Sequence, residues 1–329
     1  AIHCGLVGSE MCIRDRGMAY AKAPRSAWAI LGLALLGVSS GGPLLASMPD
    51  VPPILRASWR LWATSLVLAP GLYVQRSWFI DHGYDLRSSS ILAASGIALA
   101  IHFAAWTWSL DHTSLAHSLL FVTSHPIVIV SFMVLMMRRM DWLLVSGALV
   151  GFGGAALALL DASPTGDVTY VGDAAAFLGA VAGAAYLGAG RLLRSTGEMP
   201  LFVYAFPVTF ISACLLSLIS IVLESPSSTI GAHPLGWVDA SYLLPVSALA
   251  LGAGLLGHTG LNASLKWMPP IVVSVGLLFE PILGTAIGYV VLGELEMGIW
   301  TPIGGVMMII GATILTVWLD RESNSKGTD

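Results

Sequence analysis

Residues 265–294 read LKWMPPIVVSVGLLFEPILGTAIGYVVLGE. The segment is apolar, long enough to cross a bilayer, and carries Glu280 in its middle. If the crossing begins near Pro270, Glu280 lies about 15 Å along it, halfway through a ~30 Å hydrocarbon core. An acid at that depth costs about 2.5–3.5 kcal/mol to insert, so it is expected to face a cavity or a partner rather than lipid. Pro281 follows directly and removes a backbone donor, which predicts a kink beside the acid. Gly276, Glu280, Gly284 and Gly288 recur every fourth residue and share one helix face, a bare groove from which a single carboxyl projects.

The composition agrees. Of 329 residues 56% are hydrophobic and 10% charged, with mean hydropathy +0.81. Soluble domains carry about 25% charged residues, so the chain reads as an all-α integral membrane protein. The net charge is -4, and no basic patch suits nucleic acid. The three cysteines, Cys4, Cys12 and Cys214, suggest neither a disulfide framework nor a metal site. No phosphate-cradling Gly-Lys-Ser/Thr loop is present, so ATP-driven transport has no visible engine and no cofactor is expected. The tail AIHCGLVGSEMCIRDRG has no helical periodicity and resembles translated sequencing-adapter sequence. Residues 1–17 are therefore expected to be artefactual, with Met18 the start; the alternative is a cytoplasmic extension within a 1–26 tail.

Ten apolar stretches of spanning length can be marked: 27–48, 53–74, 90–109, 114–137, 142–161, 171–190, 200–223, 240–261, 270–291 and 298–319. A short tail, 320–329, follows them. With the N-terminus inside, every one of the 15 Lys and Arg except Arg56 and Arg60 falls in a cytoplasmic segment, among them Arg76, Arg87, Arg138, Arg139, Arg191, Arg194 and Lys266. The opposite loops carry Asp50, Asp111, Asp161, Asp167, Asp173, Glu224, Asp239, Glu294 and Glu296. This satisfies the positive-inside rule and predicts both termini in the cytoplasm. Seven tryptophans lie near predicted ends, where indole suits the headgroup region. Trp59, Trp62, Trp106 and Trp108 lie inside the second and third stretches, either packing helices or walling a cavity.

A shift of 155 residues, the separation of His125 from Glu280, lays LDHTSLAHSLLFVTSHPIVIV (from Leu110) on LKWMPPIVVSVGLLFEPILGT (from Leu265). His125-Pro126 then coincides with Glu280-Pro281. A further slip of two residues sets Gly147 and Gly154 on Gly304 and Gly311. Five crossings per copy is odd, so the second copy, 171–319, must insert upside down relative to the first, 27–161. Such inverted repeats characterise secondary transporters that expose one site alternately to each side.

LLFEPILGTAIGYVVLGE resembles the Glu-Pro helix and Gly-Glu terminus near the C-terminal end of the EamA-type drug/metabolite transporters. VPPILRASWRLWATSL is similar to that family's second helix, with Arg60 at the position of its arginine. LDHTSLAHSLL resembles the loop and start of its fourth helix, and GDAAAFLGAVAGAAYLGAGRLL its sixth. The resemblance covers about residues 27 to 319 and implies ten transmembrane helices in two inverted five-helix repeats. It further implies export of small organic metabolites, such as amino acids or nucleobases, across a cell (inner) membrane. One departure stands out: where the second half has its glycine strip, the first half has Phe121, His125, Ile129 and Met133.

Glu280 is the leading site residue, either a gating, substrate-contacting or proton-carrying acid or a hydrogen-bonding support of the Pro281 kink. His125 holds the pseudo-equivalent position, with His117 and Phe121 on its face; imidazole can bind a carboxylate, relay a proton, or donate to a carbonyl freed by a kink. Arg60 is placed to pair with Glu280 or a substrate anion, whereas Arg56, one turn nearer the membrane edge, is expected to snorkel. Trp59, Trp62 and Trp106 are candidate walls; Tyr186, Asn262, His102 and His258 are further contacts. Pro126, Pro281, Gly276 and Gly284 are candidate kink or gating positions, and Gly147, Gly151, Gly154, Gly179 and Gly183 have helix-packing spacing. The expected partners are a small organic solute, the bilayer and protons, with monomer and homodimer both open. Not an enzyme is the reading adopted; a membrane-embedded enzyme on lipid-linked substrate and a non-transporting sensor or assembly subunit are its alternatives.

Overall fold

The structure is a computed structural model and describes residues 23–113, 115–137, 140–161, 168–196, 199–224, 233–292 and 298–326. The N-terminal tail through Lys22, with Met18, lies outside them, as do Arg138, Arg139, Asp167, Glu294 and Glu296. All regular structure described is helical: α1 Arg25–Ser39, α2 Gly41–Ala46, α3 Pro53–Val74, α4 Arg76–His82, α5 Leu86–Leu110, α6 Leu115–Val122, α7 His125–Met137 and α8 Trp142–Ala158. There follow α9 Tyr170–Arg191, α10 Leu201–Leu223, α11 Ala240–Leu249, a π-helical run Ala250–Thr259, α12 Gly260–Ser264, α13 Pro270–Leu277, α14 Glu280–Leu292 and α15 Trp300–Lys326.

Helix starts are written locally. Asp85 accepts from Ser88 N at 2.9 Å, Asp141 from Leu143 N at 3.0 Å, and Thr169 from Gly172 N at 3.1 Å. Each fills a donor that the first turn cannot. The hydrogen bonds from Ser88 hold the Asp85 carboxyl below its ordinary range. Pro24, Pro52, Pro200 and Pro269 precede four other helices.

Eight helices among the described residues are long and apolar enough to cross a membrane: Arg25–Leu45, Leu86–Leu110, His117–Met136, Trp142–Asp161, Tyr170–Ser195, Leu201–Leu223, Ala240–Ser264 and Trp300–Trp318. The chain is a multi-pass integral membrane protein. Its surface carries large apolar side chains that water would penalise, such as Leu33, Leu66, Leu135 and Ile309. Ten such stretches are expected from the sequence; 53–74 and 270–291 are the two outside this set. Helix α3 is continuous over 22 residues, but Arg56, Ser58, Arg60, Thr64 and Ser65 are all buried in it. The 270–291 stretch is two helices rather than one.

That break has a physical cause, and it occurs twice. A proline ring clashes with the carbonyl four residues back. Pro126 therefore acts on Val122, the last residue of α6, and Pro281 on Leu277, the last residue of α13. Short i→i−3 bonds close the gaps: Ser124 N to Phe121 O at 3.3 Å and Phe279 N to Gly276 O at 3.0 Å. Helices α6 and α13 are both 8 residues long, and α7 and α14 both 13. The second pair starts and stops 155 positions after the first, as Leu115 to Pro270 and Met137 to Leu292.

Helices pack in pairs distant in sequence: α1 on the π-helical run, α3 on α10, α5 on α9, α7 on α13, and α8 on α15. Small residues permit the closest of these. A Cβ on Gly154 would lie 2.6 Å from Gly304 O, and one on Gly147 would lie 3.2 Å from Gly311 O. A Cβ on Gly37 would lie 2.6 Å from Gly257 N. The bare face of the 270–291 stretch meets α1, where Cβ atoms on Gly276 and Gly284 would lie 3.2 Å from Leu35 Cδ1 and from Ser39 O.

Candidate functional site

Arg60 is placed by what happens two turns earlier on α3. Pro52 offers no side-chain cap to that helix. Glu224, at the end of α10, does so instead, accepting from Ile54 N at 2.8 Å, Leu55 N at 2.9 Å and Ser220 Oγ at 2.7 Å. Arg56 is buried rather than snorkelling. It donates to Leu45 O at 3.1 Å and to Asp111 Oδ1 at 3.1 Å, because the end of α5 brings a carboxylate within reach. Arg60 is only 2% exposed. Its guanidinium lies over the Phe103 ring, 4.5 Å from the centroid, and one N–H reaches Ala253 O at 3.2 Å.

Around Arg60 three imidazoles converge from three helical segments. His102 Nδ1 is 2.8 Å from Gly179 O; a carbonyl only accepts, so Nδ1 carries the proton and Nε2 is left as an acceptor. Its ring centroid is 5.8 Å from His125, 6.2 Å from His258 and 6.3 Å from Trp106. His125, at the start of α7, lies against Gly183 so closely that a Cβ there would be 2.8 Å from its Cδ2. That position therefore admits only glycine while the ring is in place. Tyr186 lies 6.0 Å from His258 and accepts from Asn262 Nδ2, which also donates to His258 O at 2.9 Å.

These groups enclose a cavity of ≈ 40 Å³, with Glu280 in its wall. It has room for water, though far less than the ~300 Å³ or more of a typical small-molecule site. Glu280 is half-buried and makes no ion pair with Arg60 within 4.0 Å among the described residues. Buried polar atoms without a partner gather here: Arg60 Nε, Trp106 Nε1, His125 Nδ1 and His258 Nδ1. Among the described residues no cluster of three or more His, Cys, Asp or Glu could hold a metal.

Of the residues singled out from the sequence, Glu280, His125, Arg60, Trp106 and Tyr186 share this cavity. Three do not line it. His117 bonds Asp173 Oδ2 at 3.0 Å, whose other oxygen takes Thr113 Oγ1 at 2.7 Å, a tie between α6 and α9 at a helix end. Trp59 donates to His233 O at 2.9 Å and packs on Tyr242 with centroids 5.1 Å apart. Trp62 donates to Ser217 Oγ at 2.8 Å and meets Phe210 edge-on. Both tryptophans therefore face α10 and the 233–242 segment. His102 and His258 stand at the centre, which spacing alone would not reveal because each is the lone histidine of its segment. Gly183 and Val38 also line the cavity, and neither type of residue signals a site in sequence.

No family model matches the chain, and no curated protein matches it in sequence. A solved structure described only as a crystal structure of a protein is similar in fold, with a TM-score of 0.68 at 23% identity over 90% of this chain and 98% of that one. That likeness concerns the fold alone.

Proposed function

We propose that the chain is a secondary transporter of small organic metabolites, of the EamA drug/metabolite type. In this reading its ten crossings form two inverted five-helix repeats, 27–161 and 171–319, which expose a central site to the two membrane faces in turn. The observation that carries the reading is the pairing of helices. Number the crossings in chain order, with α6–α7 as the fourth and α13–α14 as the ninth. The partners are then first with eighth, second with seventh, third with sixth and fifth with tenth, while the fourth lies against the sixth and ninth and the ninth also against the first. Exchanging the halves maps that set onto itself, as a two-fold axis in the membrane plane requires. The matched breaks before His125-Pro126 and Glu280-Pro281 supply the pivot, and the cavity lies beside both.

Alternating access needs a centre whose opening passes from one side to the other, and the ≈ 40 Å³ cavity among the titratable groups is the centre proposed. Export is the direction proposed, with both termini cytoplasmic and Glu280 as the proton-coupling acid. The test is uptake of a metabolite mixture into proteoliposomes, with and without a pH gradient, against Glu280→Gln. Solute accumulation above empty liposomes is expected, accelerated by the gradient and lost in the variant. No flux for any solute removes the transport reading; gradient-independent flux that survives Glu280→Gln removes only the coupling.

A further inference from the structure

Nine side-chain nitrogen or oxygen atoms among the described residues are buried without a hydrogen-bond partner, and four of them belong to residues lining the one ≈ 40 Å³ cavity. A buried polar atom left unpaired is costly, so a cluster of them marks a place where something else completes the bonding. What that something must be follows from the atoms. Arg60 Nε–H and Trp106 Nε1–H can only donate. His125 Nδ1 and His258 Nδ1 can do either, according to tautomer. Arg60 and Trp106 are 2% and 4% exposed, and they are neighbours. Both line the ≈ 40 Å³ cavity, so a fixed guanidinium and an indole N–H border one small space, and both require an acceptor.

We propose that these two donors recognise the carboxylate of an organic acid, and that the site selects organic anions over neutral and cationic solutes of the same shape. The inference rests on the transport reading for its biological sense, but not for its chemistry. A carboxylate presents two acceptor oxygens to a planar guanidinium, and such charge-assisted bonds are about twice as strong as neutral ones. An amide of the same shape has one acceptor oxygen and turns its NH₂ toward groups that cannot accept. A quaternary ammonium offers no acceptor at all and meets the charge of Arg60. Glu280 does not satisfy Arg60, since no ion pair joins the two within 4.0 Å among the described residues. Waters hold the place between ligands. Because the ≈ 40 Å³ cavity is smaller than these acids, binding is to a wider form of the site.

The test is calorimetric titration of the purified full chain in detergent at pH 8. One set of probes is benzoate, benzamide and benzyltrimethylammonium; the matching aliphatic set is butyrate, butyramide and propyltrimethylammonium. In each set the acid is expected to bind about tenfold or more tighter than the amide, and the cation not to compete. Arg60→Gln should bring acid and amide level, and Arg60→Lys should restore part of the difference. Trp106→Phe, which deletes the N–H and keeps the ring, should weaken the acid a few-fold and leave the amide unchanged. Amide or cation binding as well as the acid, no binding in either set, or acid preference that survives Arg60→Gln in a variant with wild-type elution profile and tryptophan emission would overturn the proposal. Failure here is distinct from failure of transport: flux in liposomes without acid preference sinks only the anion rule, and acid binding without flux sinks only the transporter.

Discussion

Replacing Glu224 should loosen the protein far from the end of the helix where that residue sits. Its carboxylate closes the first turn of α3 by accepting from Ile54 N at 2.8 Å and Leu55 N at 2.9 Å. Glu224 is itself 8% exposed, so water is poorly placed to take over. Glu224→Ala strands both donors, at about 1–3 kcal/mol for each buried N–H. Loss of a helix N-cap independently costs about 0.5–2 kcal/mol. Taking the two as overlapping descriptions of one event, about 2–4 kcal/mol is expected for alanine. Glu224→Gln keeps one acceptor oxygen and loses the charge that complements the helix dipole, so about half of that is expected. The measurement is the apparent melting midpoint in detergent, followed by tryptophan emission and by loss of the monodisperse elution peak. The order should be wild type, then Gln, then Ala, with several degrees between the extremes. Arg60 follows Ile54 by six residues, about 9 Å along the helix, so the alanine variant should also weaken whatever ligand Arg60 holds. Melting of all three proteins within about one degree, where an N-cap alone is worth ~1 kcal/mol, would refute the capping argument.

The close helix contacts make a second set of predictions. A Cβ on Gly154 would lie 2.6 Å from Gly304 O, whereas one on Gly32 meets nothing within 4 Å. Gly154→Val should therefore lower folded yield sharply, while Gly32→Ala should hold or raise the midpoint, since alanine favours a helix by about 1 kcal/mol over glycine; equal midpoints for the two variants would contradict the packing. The tryptophans should separate into two kinds. Trp62→Phe loses the bond to Ser217 and should cost about 1 kcal/mol of stability with ligand affinity unchanged. Trp106→Phe removes a partnerless N–H and should leave the midpoint as it was while weakening the ligand; titration and melting of the two variants side by side check this. Gly183→Ala would drive a methyl into the His125 ring and should abolish flux, which a transport assay on correctly folded variant protein would read directly.

What could be read along the chain is what depends on neighbours along the chain. A run of about twenty apolar residues must be a helix in lipid, because no other local structure satisfies its backbone. Proline acts four residues back, so the breaks ahead of His125 and Glu280 follow from Pro126 and Pro281 alone. The equal spacing of those two dipeptides was likewise visible without coordinates. Helix starts at Asp85, Asp141 and Thr169 belong to the same class, since each bond closes within three residues.

Rotation about a helix axis is not encoded locally, and there the folded molecule decided. Trp59, Trp62 and Trp106 look alike in sequence, yet Trp106 borders the cavity and the other two pack elsewhere. Arg56 would snorkel from an isolated helix; Asp111, 55 residues away, holds it down. The bonds from Ile54 and Leu55 to Glu224 span 170 and 169 residues, and no pattern within α3 or α10 announces them. The three central imidazoles come together because α5, α7 and the π-helical run turn those faces inward. An amphipathic period can mark the face of a soluble helix, but here lipid and protein interior are equally apolar. Sequence therefore singled out Glu280 in the middle of an apolar run, and only packing brings it into the wall of the cavity that Arg60 also lines.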